Sequence, residues 1–223
     1  MGYIEYITGI QPDTFTADDA YSKAQGTRDG AIFTADWVAA RCLEGRVFVA
    51  NAGSATAPIT FGAGSIDNTE FDLHVSVPSG TTVIPIELVI KVEAWGTSAI
   101  AECMAVSGTG STTGAGTAIT VRNARSDAPF STNCTVTAAA TATSGVAITG
   151  AEFFRDGHIV AVTPATAGAS GGTLPTKFRW SYLSAGYVPV VVGAGQIGVF
   201  MSAVAGTGFI TLVYVEIPST RVV

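Results

Sequence analysis

The sequence predicts an all-β protein: an antiparallel β-sandwich of jelly-roll type, with one short helix near the N-terminus and an extended N-terminal arm. Three observations predict it. Short runs rich in Val, Ile, Thr and Phe follow one another along the chain, separated by Gly, Pro, Ser and Asp at the short intervals of an antiparallel sheet rather than of βαβ units. Several runs alternate apolar and polar residues, the period of a strand with one buried face. Helical patterning is confined to a single good stretch.

The elements are read in chain order. Residues 1–33 form the arm, and 34–223 form one domain whose strands fall within 46–218. "TADWVAARCLEG" predicts a helix over residues 35–44, with Thr34 as its cap, Trp37, Val38, Arg41 and Leu43 on its turns, and Gly45 at its end. A weaker helical pattern covers Ala17 to Ala24. The strand candidates are "RVFVANAG", "APITFG", "DLHVSVP", "TTVIPIELVIKVEAW", "AIAECMAVS", "TAITVRNA", "CTVTAAAT", "AEFFR", "HIVAV", "KFRWSYL", "VPVVV", "QIGVFMSAV" and "FITLVYVEIP". In "DLHVSVP", Leu73, Val75 and Val77 take the core face, and Asp72, His74 and Ser76 take the wet one. In "KFRWSYL", Phe178, Trp180 and Tyr182 oppose Lys177, Arg179 and Ser181. Asp156-Gly157 stands between two apolar runs and predicts a type I′ hairpin pairing residues 152–155 with 158–161.

"VPVVVGAGQIGVF" carries a motif that competes with this reading. Gly193, Gly195 and Gly198 spell G-x-G-x-x-G after an apolar run, and Glu216 falls near where a ribose-binding acid belongs. The fold around the motif is wrong for dinucleotide binding. "GVFMSAVAGTG" alternates like a strand where a helix must begin, and Glu216 leaves too little chain after it for the remaining parallel strands. The glycines read instead as a tight strand-to-strand turn that lets backbones approach.

Composition narrows the function. Charged residues make up 13% of the chain, about half the usual share for a soluble domain. A surface of Ser, Thr, Gly and Ala gives weak protection against association, which predicts that much of it is buried between subunits. A net charge of −6 without a Lys/Arg cluster disfavours direct nucleic-acid binding. Cys42, Cys103 and Cys134 are odd in number and contain no C-x-x-C, so they read as free thiols rather than as a disulfide or zinc framework. Residues 187–206 approach the length of a spanning helix, but Pro189, Gln196, Ser202 and the glycines dilute the run, so no membrane span is predicted. "MGYIEYITGI" matches neither an export signal nor a lipidation signal.

Candidate chemistry is sparse. His74 and His158 are the only histidines, and Asp72 with His74 supplies two possible metal ligands without a third. No G-x-S-x-G elbow is present. These readings predict no catalytic residues, no cofactor and no metal. The stripe Phe178, Trp180, Tyr182 can either stack on sugars or fill the core. Asn133 begins an N-C-T sequon, which has meaning only for an exported chain.

Three segments, "TRDGAIFTADWVAARCLEGRVFVANAG", "VPSGTTVIPIELVIKVEA" and "KFRWSYLSAGYVPVVVGAGQIGVFMSAVAGTGFITLVYVEIPS", resemble in texture and order the small structural proteins of bacteriophages, jelly-roll subunits that build or decorate capsids. The resemblance implies a virion protein made in the host cytoplasm. It also implies a homo-oligomer, most simply a trimer, in contact with other capsid proteins. In this reading Tyr3, Ile4, Tyr6 and Ile7 of the arm are the candidate subunit contact. The alternative is a β-sandwich binding module for glycans or a host surface. Exposure of Trp180 and Tyr182 separates the two.

Overall fold

The computed structural model describes residues 36–62, 65–67, 70–94, 100–110, 116–138, 150–159, 177–202 and 206–221. Helix α1 (Trp37–Leu43) leads into strands β1 (Val47–Ala52), β2 (Ile59–Thr60), β3 (Leu73–Val77), β4 (Thr81–Ala94), β5 (Ile100–Thr109), β6 (Thr117–Ala118), β7 (Arg122–Asn123), β8 (Thr135–Ala138) and β9 (Gly150–Ile159). Then come β10 (Lys177–Ser181), helix α2 (Tyr182–Ala185), β11 (Val191–Val192), β12 (Gly195–Ser202) and β13 (Thr207–Pro218). The weaker helix expected over Ala17–Ala24 and the arm lie outside the described residues.

Two antiparallel sheets pack face to face. The seven-stranded sheet runs β10-β4-β13-β1-β7, with β11 also on β4 and β2 on β13; the six-stranded sheet runs β6-β8-β3-β12-β5-β9. The sandwich expected from the alternating runs is therefore present, and its strands span Val47 to Pro218. "TAITVRNA" supplies β6 to one sheet and β7 to the other, so this run carries the chain from one layer to the next. The core between the layers holds Phe48, Leu88, Ile90, Phe178, Trp180, Leu212 and Tyr214 from one sheet and Leu73, Val75, Ile197, Val199 and Met201 from the other. Each of these large side chains contributes about 2 kcal/mol by leaving water.

Pro85 shows how β4 serves two apolar layers. Proline cannot donate to a ladder and is confined to edges, strand starts or bulges, and the β4–β13 register shifts here, with Val213 opposite Glu87 and Tyr214 opposite Pro85. The shift reverses the facing of the strand. Leu88, Ile90 and Val92 join the central core, whereas Ile84 and Ile86 join Val47, Val215 and Ile217 on the outer face. Helix α1 lies on that outer cluster through Val38 and Cys42.

Several expectations are corrected. Helix α1 is capped by Asp36, whose Oδ1 accepts from Val38 N at 2.8 Å and Ala39 N at 3.2 Å, while Thr34 lies outside the described residues. Its inward face is Val38 and Cys42, and Trp37 and Leu43 are exposed. The Asp156-Gly157 hairpin does not form. Both residues lie inside β9, opposite Cys103 and Glu102 of β5, because a full-length ladder with an upstream strand outweighs a local turn preference. Asp156 Oδ1 instead accepts from Gly157 N at 2.8 Å.

The wet face expected for "DLHVSVP" is also dry. Asp72 and His74 are 2% and 1% exposed. Phe71, Met104, Val106 and Phe200 form a second apolar cluster on the outer face of the six-stranded sheet, with Ile66 against it. This layer buries the side of β3 that alternation assigns to solvent.

Candidate functional site

The glycine motif resolves into strand geometry. Gly193 sits in the turn from β11 to β12, where an added Cβ would lie 1.9 Å from the Pro78 carbonyl oxygen, and its N–H donates to Thr81 O at 2.8 Å. Only glycine permits that approach. Gly195 and Gly198 lie in β12, between β3 and β5, and β12 continues as strand to Ser202 where a dinucleotide site needs a helix. Glu216 is 4% exposed. Its carboxylate accepts from Thr132 Oγ1 at 2.6 Å, Asn133 N at 2.9 Å and Asn133 Nδ2 at 2.8 Å. It therefore anchors the loop before β8, and it holds the side chain of the sequon asparagine.

Asp72 and His74 are likewise committed to the fold. Asp72 Oδ1 accepts from Gly62 N at 3.0 Å and Oδ2 from Met201 N at 2.6 Å. Burial pushes its carboxyl up to about 7, against these donors and with a further rise from Glu70. His74 Nε2 lies 3.1 Å from Gln196 Oε1, its ring is 4.7 Å from that of Phe71, and burial lowers its pKa. No group of three His, Cys, Asp or Glu side chains able to hold a metal occurs among the described residues. The side chain of His158 is outside that set. Cys42, Cys103 and Cys134 are free thiols, and burial pushes Cys103 up to about 12, which suppresses the reactive thiolate.

The aromatic stripe belongs to the core. Phe178 and Trp180 are buried, and Trp180 meets Phe153 edge-on at 5.0 Å, closing the sandwich between β10 and β9. At Tyr182 the strand ends. Ser181 caps α2, its Oγ accepting from Ser184 N at 3.3 Å, so the third ring is half-buried against the central core and the outer cluster. No open aromatic groove forms there.

What the chain does expose is an apolar face that the sequence reading missed. Among the described residues the exposed large hydrophobic side chains are Trp37, Leu43, Leu183, Tyr187, Val190 and Val192. All belong to two segments, α1 and residues 183–192. Both segments rest on the cluster of Val47, Ile84, Ile86, Val215 and Ile217, the first through Val38 and Cys42, the second through neighbouring Tyr182 and Val188. Their upper surfaces thus extend one apolar layer outward. The signal in the sequence was "SYLSAGYVPVVV", where Gly186 and Pro189 interrupt an uncharged run too often for a fully buried strand. The candidate contact residues Tyr3, Ile4, Tyr6 and Ile7 lie outside the described residues.

No helix among the described residues is long and apolar enough to cross a membrane. No protein-family model matches the chain, and neither a curated protein nor a solved structure matches it.

Proposed function

We propose that this chain is a structural subunit of a bacteriophage virion, a jelly-roll type of sandwich that builds or cements the capsid by binding copies of itself and neighbouring capsid proteins. One observation carries the reading: every exposed large hydrophobic side chain among the described residues belongs to the two segments on one outer cluster of the seven-stranded sheet. Exposed apolar side chains grouped around one cluster mark an interaction site, and a chain with 13% charged residues has little charge to keep copies apart. In this reading Tyr3, Ile4, Tyr6 and Ile7 of the arm supply a further contact with neighbouring copies, most simply around a threefold axis.

Sedimentation of the purified chain tests this. A discrete oligomer, converted to smaller species by Leu183→Ser with Tyr187→Ser or by deletion of residues 1–15, supports the reading. A wild-type chain that stays monomeric at high concentration overturns it.

A further inference from the structure

The outer face of the seven-stranded sheet changes character beyond the Pro85 bulge. Toward the far end of the strands Asn51, Thr211, Phe209 and Lys91 point outward, since their sequence neighbours Ala50, Ala52, Ile210, Leu212, Ile90 and Val92 fill the core. These residues form one side of a groove of about 1000 Å³ that reaches the edge between the two sheets, where the 53–57 loop, the 117–122 segment and Ala138 of β8 complete it. The loop is a closed turn: Ser54 N donates to Ala57 O at 2.8 Å, and Ser54 Oγ accepts from Ala57 N at 3.0 Å. Gly53 has no side chain where a Cβ would meet the Phe209 ring at 2.6 Å, so the ring lies over the backbone there.

The electrostatics of this groove run against the rest of the chain. The molecule has 17 acidic and 11 basic residues, yet among the described residues the groove is lined by two cations, Lys91 and Arg122, and by no carboxylate. Lys91 stands directly opposite Lys177 of β10, a like-charge pairing that costs stability unless an anion offsets it. Among the described residues none of these three cations is in an ion pair. Glu93, two residues along β4, does not line the groove.

Neutral donors and acceptors stand among small apolar side chains between the charges. Thr211 Oγ1 donates to Asn51 Oδ1 at 2.8 Å, which orients the Asn51 amide and leaves its Nδ2 hydrogens for a ligand. Thr117 and Thr120 add hydroxyls on the wall. From the register, Lys91 and Arg122 are three strand spacings and four residues apart, which places their Cα atoms roughly 20 Å from each other. A single carboxylate cannot bridge that span. A ligand that met both cations would be extended, with separated negative charges, hydroxyls between them and an apolar ring face for Phe209.

We propose that this groove binds an acidic oligosaccharide with a carboxylate on alternate sugars, a uronate-containing glycan. Two isolated cations suit spaced carboxylates better than a continuous polyphosphate, which needs a dense basic stripe. The site is separate from the apolar face assigned to assembly, so either can fail without the other.

Calorimetry of the full chain with a tetrasaccharide of alternating glucuronate and N-acetylglucosamine tests it, beside the neutral N-acetylglucosamine tetramer and a single-stranded DNA oligomer. The expected result is binding of the acidic sugar alone, weakened about fivefold by Lys91→Gln or Arg122→Gln and about 25-fold by the pair. Both positions are exposed, and an unchanged thermal melt verifies the fold of each variant. Phe209→Leu, which keeps an apolar side chain and removes the flat ring, weakens binding as well. Failure of the acidic sugar to bind, equal binding of the neutral sugar or DNA, or full affinity in the double variant overturns the proposal.

Discussion

The outer faces of the two sheets solve the same problem in opposite ways. Each carries a second apolar layer outside the central core. On the six-stranded sheet that layer is sealed: Phe71, Met104, Val106 and Phe200 are all under 8% exposed, Asp72 and His74 are buried with them, and Arg155 closes the margin through ion pairs with Glu102 and Glu152. On the seven-stranded sheet the layer stays open, and Leu183 is 75% exposed. A sealed layer serves the stability of the single chain. An open one serves contact with something else, because exposed apolar area gains free energy only when a partner covers it.

The comparison breaks first at Phe200. Phe200→Ala removes a buried ring from the sealed layer and is expected to lower stability by about 4 kcal/mol, read from urea unfolding. A loss below about 1 kcal/mol would mean that the layer is loosely packed, contrary to the contrast drawn here.

Next in size is the pH response of Asp72 and His74, buried with the sealed layer. The Asp72 carboxyl is pushed from 3.8 up to about 7, so between these values the folded state holds a proton that the unfolded chain has released, and stability falls as pH rises through that window, by up to about 4 kcal/mol. His74 acts with the opposite sign. Its pKa is lowered from 6.5 by burial, so below about pH 6.5 the unfolded imidazole takes a proton that the folded one refuses, and stability falls as pH drops. The wild-type profile is the difference of the two. His74→Gln should leave the falling limb of Asp72, and Asp72→Asn the rising limb of His74, in thermal melts from pH 4 to 7. Identical slopes in both variants would remove these groups as the source.

The smallest effect on stability sharpens the contrast most. Leu183→Ser on the open face should change the unfolding free energy of the isolated chain by about 0.5 kcal/mol or less, and Tyr187→Ser by about 1 kcal/mol, since the Tyr187 hydroxyl donates to Phe153 O at 3.2 Å. The same variants should shift its sedimentation coefficient at high concentration. Large destabilisation without any change of oligomer would show that these side chains support the fold rather than a contact.

The fold was legible where local pattern and tertiary demand agree. Leu73, Val75 and Val77 face the core as alternation requires, and Phe178 and Trp180 do the same. That the chain continues as strand from Gly198 to Ser202 followed from the β-branched and aromatic residues there. Legibility ended where one strand serves two layers. Alternation assigns Asp72 and His74 to water because it assumes a single buried face; the layer that covers them joins nearby Phe71 to Met104 and Val106 of β5 and Phe200 of β12, far along the chain. The Asp156-Gly157 turn failed for a related reason, since the β5 ladder outweighs a two-residue preference. The exposed face was hidden too, because "VPVVV" reads as buried until β11 is seen to be only Val191–Val192.

The sequence by itself determined the class of fold, the place of the first helix and most of the strands, because period-2 patterning and turn residues act over a few positions. Only the tertiary structure decided which outward-facing side chains are covered. The second layer over β3, the facing switch at Pro85, the open rim at Leu183 and Tyr187, and the spacing of Lys91 and Arg122 all depend on which strands lie side by side. That pairing is set by the packing of residues distant in sequence, and no local window contains it.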